Sequence, residues 1–172
     1  SWTYIKPGLA NYNITDITVS NSDADHLWVT FSEYAAAHKV YESIDGGLSW
    51  VNITASGLPN LPVNCIVYQA GTNDDLYVGT DVGVYYKNNT MTDWIPYMTG
   101  MPNVVVKELE IHYNSGTISA ATFGRGIWES PVNSISTDVY ETSAEQFRIY
   151  PNPAQDKITI SINNYLGSDL TA

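Results

Sequence analysis

Ser43-Ile44-Asp45-Gly46-Gly47-Leu48-Ser49-Trp50 is the stretch from which the chain can be read outward. It has the form Ser-x-Asp-x-Gly-x-x-Trp. A short Asp side chain can accept backbone N–H groups inside a tight hairpin. Gly47 can take a positive φ at little steric cost. Trp50 can then cover the apolar side of the hairpin and pack between neighbouring sheets.

Trp50 is the middle member of a series. Trp2 and Trp94 open similar segments, at intervals of 48 and 44 residues. After the three tryptophans come Pro7-Gly8-Leu9, Gly57-Leu58-Pro59 and Gly100-Met101-Pro102. Next comes a short apolar run in each segment: Ile17-Thr18-Val19, Ile66-Val67-Tyr68 and Leu109-Glu110-Ile111. Polar turns follow at 21–23, 71–75 and 114–116. Second runs lie at 27–30, 76–79 and 118–121, and third runs at 39–42, 83–86 and 126–129. Short β-branched and aromatic runs bounded by Gly, Asn and Asp are the mark of strands. No long stretch spaces its apolar residues by three and four, so almost no helix is expected. Pro59, Pro62, Pro96 and Pro102 fall between strands. A period of about 45 residues with three or four strands per repeat fits a β-propeller blade.

The octapeptide resembles the Asp-box, or bacterial neuraminidase repeat, at all four defining positions: Ser43, Asp45, Gly47 and Trp50. In that family the box is a folding element, usually away from the ligand face, so these four residues are read as structural. Aligning Trp94 on Trp50 puts Lys87, Asn89 and Met91 at the Ser, Asp and Gly positions. Asn89 is expected to imitate the Asp hydrogen bonds, but Met91 cannot imitate Gly, so a hairpin of altered geometry is expected. Ser1-Trp2 matches the end of an earlier box. Gly124-Arg125-Gly126-Ile127-Trp128 resembles the strand common near the end of such propellers. The resemblance covers residues 1–131 and implies about three blades of four-stranded antiparallel sheet.

Residues 132–146 are rich in Ser, Thr and acids and read as a linker. From Phe147 the chain resembles the opening of a type IX secretion C-terminal sorting domain, on Tyr150, Pro151, Asn152, Pro153 and Asp156. Two prolines block helix there, and Ile158, Ile160 and Ile162 alternate with polar residues as in a strand. In the family this domain is a small β-sandwich, so residues 147–172 are expected to be an incomplete one. The resemblance implies a protein secreted or held at the outer cell surface, with components of the type IX translocon as partners. The chain is then expected to be the C-terminal part of a longer protein. Ser1-Trp2-Thr3-Tyr4 lacks the pattern of a signal peptide, as expected if such a signal has been removed or if the chain begins inside a longer protein.

Composition narrows the function classes. The 172 residues carry 18 acids against 7 Lys and Arg, for a net charge of −11. Phosphate neutralisation needs a basic surface, so nucleic acid is excluded as a partner. Anionic lipid surfaces call for Lys/Arg clusters, and no stretch reaches the roughly 18 apolar residues of a membrane span. The single cysteine, Cys65, sits in an apolar run and reads as a buried, inert thiol. It excludes an intrachain disulfide and a multi-cysteine zinc site. His26, His38 and His112 lack paired metal-ligand spacing, and His38 is expected to be exposed. No cofactor is implied.

In Asp-box style the chain resembles glycoside hydrolases of the xyloglucanase type more closely than sialidases, whose reading fails a simple count. Sialidases hold their substrate carboxylate with three arginines, whereas this chain has Arg125 and Arg148, the latter inside the second resemblance. Arg125 could face a ligand groove, or form a surface pair or bond carbonyls in its own turn. A glycosidase needs two carboxylates about 5–10 Å apart. Glu108 and Glu110 lie on one face of an expected strand, roughly 7 Å apart over two strand rises. They are candidates, with a solvated strand face as the plainer reading. Asp23, Asp25, Asp74 and Asp75 read as turn formers. Tyr34, Tyr41, Tyr68, Tyr85, Tyr86, Tyr97, Trp28 and Trp128 offer stacking surfaces for sugar rings or filling for the space between blades. The function expected is that of a propeller binding or acting on polysaccharide. Its catalytic acids would lie mostly upstream of Ser1, or it would be a binding or adhesion module without them.

Overall fold

The computed structural model describes residues 2–34, 36–133, 147–150 and 159–162, the last two segments by their backbone alone. The chain divides into two compact units, Ser1–Ile135 and Ser136–Ala172. Every regular element among the described residues is a strand.

The first unit holds three antiparallel sheets. The first is β1 (Ile14–Val19), β2 (Leu27–Phe31), β3 (Val40–Ser43) and β4 (Val51–Asn52), in that spatial order. The second is β5 (Val63–Gln69), β6 (Asp75–Thr80), β7 (Gly83–Lys87) and β8 (Ile95–Pro96). The third is β9 (Val106–His112), β10 (Thr117–Thr122) and β11 (Ile127–Pro131). Each is a meander in which every strand pairs with the next in sequence; most of the connections are turns rich in Gly, Asn and Asp, the β2–β3 connection at 32–39 being the exception.

Four strands are expected in each sheet, and the third has three among the described residues. Past Pro131, Val132 N–H still bonds to the Gly116 carbonyl beside β10, and Asn133 N–H bonds to the Tyr77 hydroxyl of the second sheet. The next described strand belongs to the second unit. There β12 (Phe147–Tyr150) pairs with β13 (Thr159–Ile162), with Phe147 opposite Ile162. Of the sorting motif, Tyr150 ends β12, while Pro151, Asn152, Pro153 and Asp156 lie outside the described residues.

The sheets stack face to face through their first strands, with β5 between β1 and β9. The first seam buries Trp28, Val40, Val63, Ile66, Tyr68, Val78 and Trp94. The second buries Cys65, Tyr77, Tyr86, Val106, Leu109, Ile111 and Ile118. β6 is buried along its whole length because both its faces are covered. Gly79 on β6 shows how close the second seam is: a Cβ there would come within 2.5 Å of Cys65 Sγ and 2.7 Å of Val106 Cγ1.

A bulge recurs at the start of each first strand. The register slips between Ile14 and Asp16, between Val63 and Cys65, and opposite Ala121/Thr122, leaving Thr15, Asn64 and Lys107 unpaired in the ladder. A bulged residue is free to aim its side chain out of the sheet. Thr15 Oγ1 donates to the Val63 carbonyl at 2.6 Å, and Asn64 Nδ2 to the Val106 carbonyl at 3.1 Å. Each seam is thus fastened by the same device.

Candidate functional site

The Ser43–Trp50 turn is built as its residue types dictate. Ser43 Oγ donates to Asp45 Oδ1 at 2.8 Å and accepts Gly47 N–H at 2.8 Å. Asp45 Oδ1 also accepts Ser49 N–H at 2.9 Å, and Oδ2 accepts the Ser49 hydroxyl at 2.5 Å. The Ser49 hydroxyl and N–H, then Ser43, hold the Asp45 carboxyl down at about 2. Gly47 has φ +85°, and a Cβ there would meet Ile5 Cβ at 2.9 Å. Gly46 N–H bonds to the Asp25 carbonyl at 2.9 Å, tying the turn to the 20–26 loop, where Asp23 Oδ1 accepts Asp25 N–H. Every polar group of the octapeptide's side chains is occupied in this way.

At the second such corner the Asp role does not fall to Asn89. Asn88 Oδ1 accepts Thr90 N–H at 3.1 Å and the Thr90 hydroxyl at 2.8 Å. Asn89 instead reaches outward, Nδ2 to Asp74 Oδ2 at 3.0 Å. Lys87 Nζ donates to the Met91 carbonyl, closing the turn from the other side.

The acidic candidates lie on the outer face of β9. Glu108 and Glu110 are exposed there, while Leu109 and Ile111 point into the second seam. The register adds a third acid that the sequence did not single out. Glu110, Ser119 and Glu129 share one row across β9, β10 and β11. Two strand spacings separate the ends of that row, roughly 10 Å. Only the cross-strand register, which is not a local property, could have revealed Glu129.

Arg125 is exposed in the turn between β10 and β11. Its carbonyl accepts Trp128 Nε1–H at 3.0 Å. Trp128 leans on the inner face, where with Tyr97, Met98, Val84 and Leu109 it lines a cavity of about 50 Å3. That is room for a few waters rather than a sugar ring. The other aromatic candidates divide clearly. Trp28, Tyr41, Tyr68, Tyr85 and Tyr86 are buried, Tyr97 is half-buried, and Tyr34 is exposed. Trp28 stacks on Tyr68 across the first seam, with ring centroids 5.1 Å apart. Most of the expected stacking surfaces are therefore filling between sheets.

Three further residues bear on the sequence reading. His38 is half-buried rather than exposed, with Nδ1 2.5 Å from the Tyr41 hydroxyl and its ring beside Tyr12. Asp75 is a buried member of β6 rather than a turn residue, and burial raises its carboxyl. Cys65 is buried as expected, its thiol pushed up to about 12 by burial, which keeps it protonated and unreactive.

Two polar clusters had no clear signal in the sequence. Lys39, fully buried, donates to the carbonyls of Glu33 and Leu61, and burial lowers its ammonium. Glu42 Oε1 takes Trp28 Nε1–H at 2.9 Å and lies 2.9 Å from His26 Nε2. His26 Nδ1 lies 4.0 Å from Asp74, across the first seam. These two clusters pin loops and sheets. No group of His, Cys, Asp and Glu among the described residues is arranged to hold a metal ion. No described helix is long and apolar enough to cross a membrane.

Three meanders stacked through their first strands, each about 45 residues on from the last, have a counterpart among solved structures. An ancestral GH74 enzyme matches at TM-score 0.50, with 20% identity over 65% of this chain and 17% of its own. The GH74 xyloglucanase from Xanthomonas campestris matches at TM-score 0.51, with 15% identity over 66% and 20%. The GH74 enzyme of Niastella koreensis matches at 0.52, with 13% identity over 67% and 19%. The three sheets are β-propeller blades. The chain spans about a fifth of the length of the solved structures it matches. No family model and no curated protein matches it. In blade terms, β1, β5 and β9 are the inner strands, and the Ser43–Trp50 turn links the third and fourth strands of the first blade.

Proposed function

We propose that residues 1–131 are blades of an Asp-box propeller that binds or acts on polysaccharide. In this reading the protein is carried by a type IX sorting domain beginning at Phe147, to the outside of the cell or its outer surface. The observation that carries the Asp-box part is the closed hydrogen-bond circuit of Ser43, Asp45, Gly47 and Ser49. It supports reading the octapeptide as a folding element rather than a seat of chemistry.

The described blades supply scaffold rather than catalysis. Glu108 holds the place on β9 that Asp16 holds on β1, one residue past the bulge, and Asp16 Oδ2 spends itself on Ile66 N–H of the next blade at 2.9 Å. By that analogy Glu108 is a seam residue. Carbohydrate contact then falls to exposed groups such as Arg125 and Tyr34, and hydrolytic acids to blades beyond residues 1–131. The test is a xyloglucan and mixed polysaccharide panel, scored both for retention and for release of reducing ends. Retention without release is expected of the chain itself. Loss of cleavage by the complete protein on Glu108→Gln or Glu110→Gln would overturn the seam assignment. The export reading is tested by deleting residues from Phe147 onward, which should leave the protein inside the cell.

A further inference from the structure

The inner strands carry matching rows of apolar side chains. On β5 the row is Val63, Ile66 and Tyr68, exposed by 0, 5 and 8%. On β9 it is Val106, Leu109 and Ile111, exposed by 0, 3 and 8%. Both rows are covered by the blade that precedes them. The register places Ile14, Ile17 and Val19 of β1 in the same positions, and they stand 47, 51 and 47% exposed. A row that is core in two blades is bare in the first.

The segment ahead of β1 points to what belongs there. Trp94 Nε1 donates to the Ile53 carbonyl at 3.1 Å, reaching back to the end of the fourth strand of the preceding blade. Trp50 Nε1 donates to the Ile5 carbonyl at 3.0 Å. Ile53 is three residues after Trp50, and Ile5 is three residues after Trp2. Thr3 to Ile5 therefore stand where a fourth strand would stand, although no described strand pairs with them. The spacing agrees: Trp2 precedes Ile14 by 12 residues, and Trp94 precedes Val106 by 12.

We propose that Thr3-Tyr4-Ile5 is the outermost strand of a further blade, whose other three strands come from polypeptide outside residues 1–172 and cover Ile14, Ile17 and Val19. The incoming sheet has defined chemistry. Its inner strand carries a bulged residue with an uncharged donor for the Ile14 carbonyl, as Thr15 and Asn64 serve Val63 and Val106. Its facing row is small, as Asp16 and Thr18 are over the β5 row and Cys65 and Val67 over the β9 row. A second copy of this chain fits poorly: its free β9 face would set Glu110 against the isoleucines, and Ile17 N–H, the donor that Glu108 would need in the place of Ile66 N–H, is already held by Asp16 Oδ1 at 2.8 Å, so both carboxylates would be buried unpaired. The inference rests on blade architecture alone, so its failure leaves the carbohydrate reading standing.

The test uses the 172-residue chain carrying Ile17→Cys, and the same protein with a copy of residues 60–92, its cysteine changed to alanine, fused ahead of Ser1. That copy supplies three strands and lets Trp2 take the place of Trp94. Maleimide labelling is followed at position 17, with buried Cys65 as the internal standard. In the unextended chain the introduced thiol should label ~100-fold faster than Cys65, and the extension should slow it by ~10-fold or more, as burial in a seam requires. A folded extended protein whose introduced thiol labels at the unextended rate would overturn the proposal. If the extension fails to fold, the 172-residue chain still decides. Ile17→Lys should leave its thermal midpoint nearly unchanged while Ile66→Lys unfolds it. Equal damage from both would mean that the row is already covered within this chain. A dimer in sedimentation that Ile17→Lys dissociates would give the face to a second copy. Either result refutes the assignment.

Discussion

The Ser43–Trp50 and Lys87–Trp94 corners occupy the same place in successive blades and solve it differently. The first is closed by side chains that bond one another, with Asp45 at the centre and Gly47 in a left-handed conformation. The second is closed by Asn88 on Thr90 and by Lys87 on the Met91 carbonyl. What the two share is the tryptophan: Trp50 and Trp94 both hand their indole N–H to a carbonyl of the segment one blade earlier. The turn chemistry is replaceable, and the indole anchor recurs. The two anchors also differ in burial. Trp94 is 1% exposed inside the first seam, whereas Trp50 is half-buried at the edge of a smaller cluster with Val29, Phe31 and Tyr41.

Breaking the anchors should give the largest effect and rank the two corners. Trp94→Ala removes a fully enclosed indole and is expected to cost about 3–5 kcal/mol in denaturant unfolding, the range for large-to-small core substitutions. Trp50→Ala should cost less than half of that, because one side of its ring faces solvent. Equal losses would mean that the edge cluster is as cooperative as the seam. Next comes Gly47→Ala. It forces a Cβ into a left-handed backbone and against Ile5, and about 1–3 kcal/mol is expected. The matching change at the other corner, Met91→Gly, should not stabilise, because that turn is not organised around a glycine.

These contrasts also mark what could be read from the residues alone. Strand positions, the three-tryptophan frame and the sealed Ser43–Trp50 turn were legible, because each depends on a short window: alternation, turn residues, and a side chain bonding its own loop. Glu108 and Glu110 were legible as one face for the same reason. Asn89 misled, because whether Asn88 or Asn89 turns inward depends on Asp74, which lies in a different loop. The tyrosines could not be sorted, since a strand residue's face is local but its cover is another blade. Lys39 was hidden for the same reason, its carbonyl partner at Leu61 lying in the connection to the next blade, and His38 because the ring beside it, Tyr12, is distant in sequence. Glu129 joins the acidic face only through strand register.

Acid should separate the corners more finely. Asp45 is held at about 2 in the folded protein, below the ordinary aspartate value of 3.8. A group whose folded pKa is depressed contributes stability that is full above the unfolded value and lost as pH falls through the folded one. The Asp45 contribution should therefore fade between about pH 4 and pH 2. Asp93, bonded by Ser56 N–H and hydroxyl beside the second corner, is lowered too and fades in the same direction. Asp75, raised by burial, acts with the opposite sign and gains the protein stability as acid protonates it. The measurement is the difference in unfolding midpoint between the native chain and Asp45→Asn, followed from about pH 6 to pH 2 so that Asp93 and Asp75 cancel. The difference should shrink towards the acid end. The same comparison with Thr90→Ala, which removes the hydroxyl bonded to Asn88 Oδ1, should stay flat, because a hydroxyl does not titrate in this range, and its size should be about 0.5–1 kcal/mol at every pH, that of an ordinary neutral hydrogen bond. A flat Asp45→Asn difference would mean that the carboxylate charge adds nothing to the circuit, and that the first corner is held, like the second, by neutral hydrogen bonds alone.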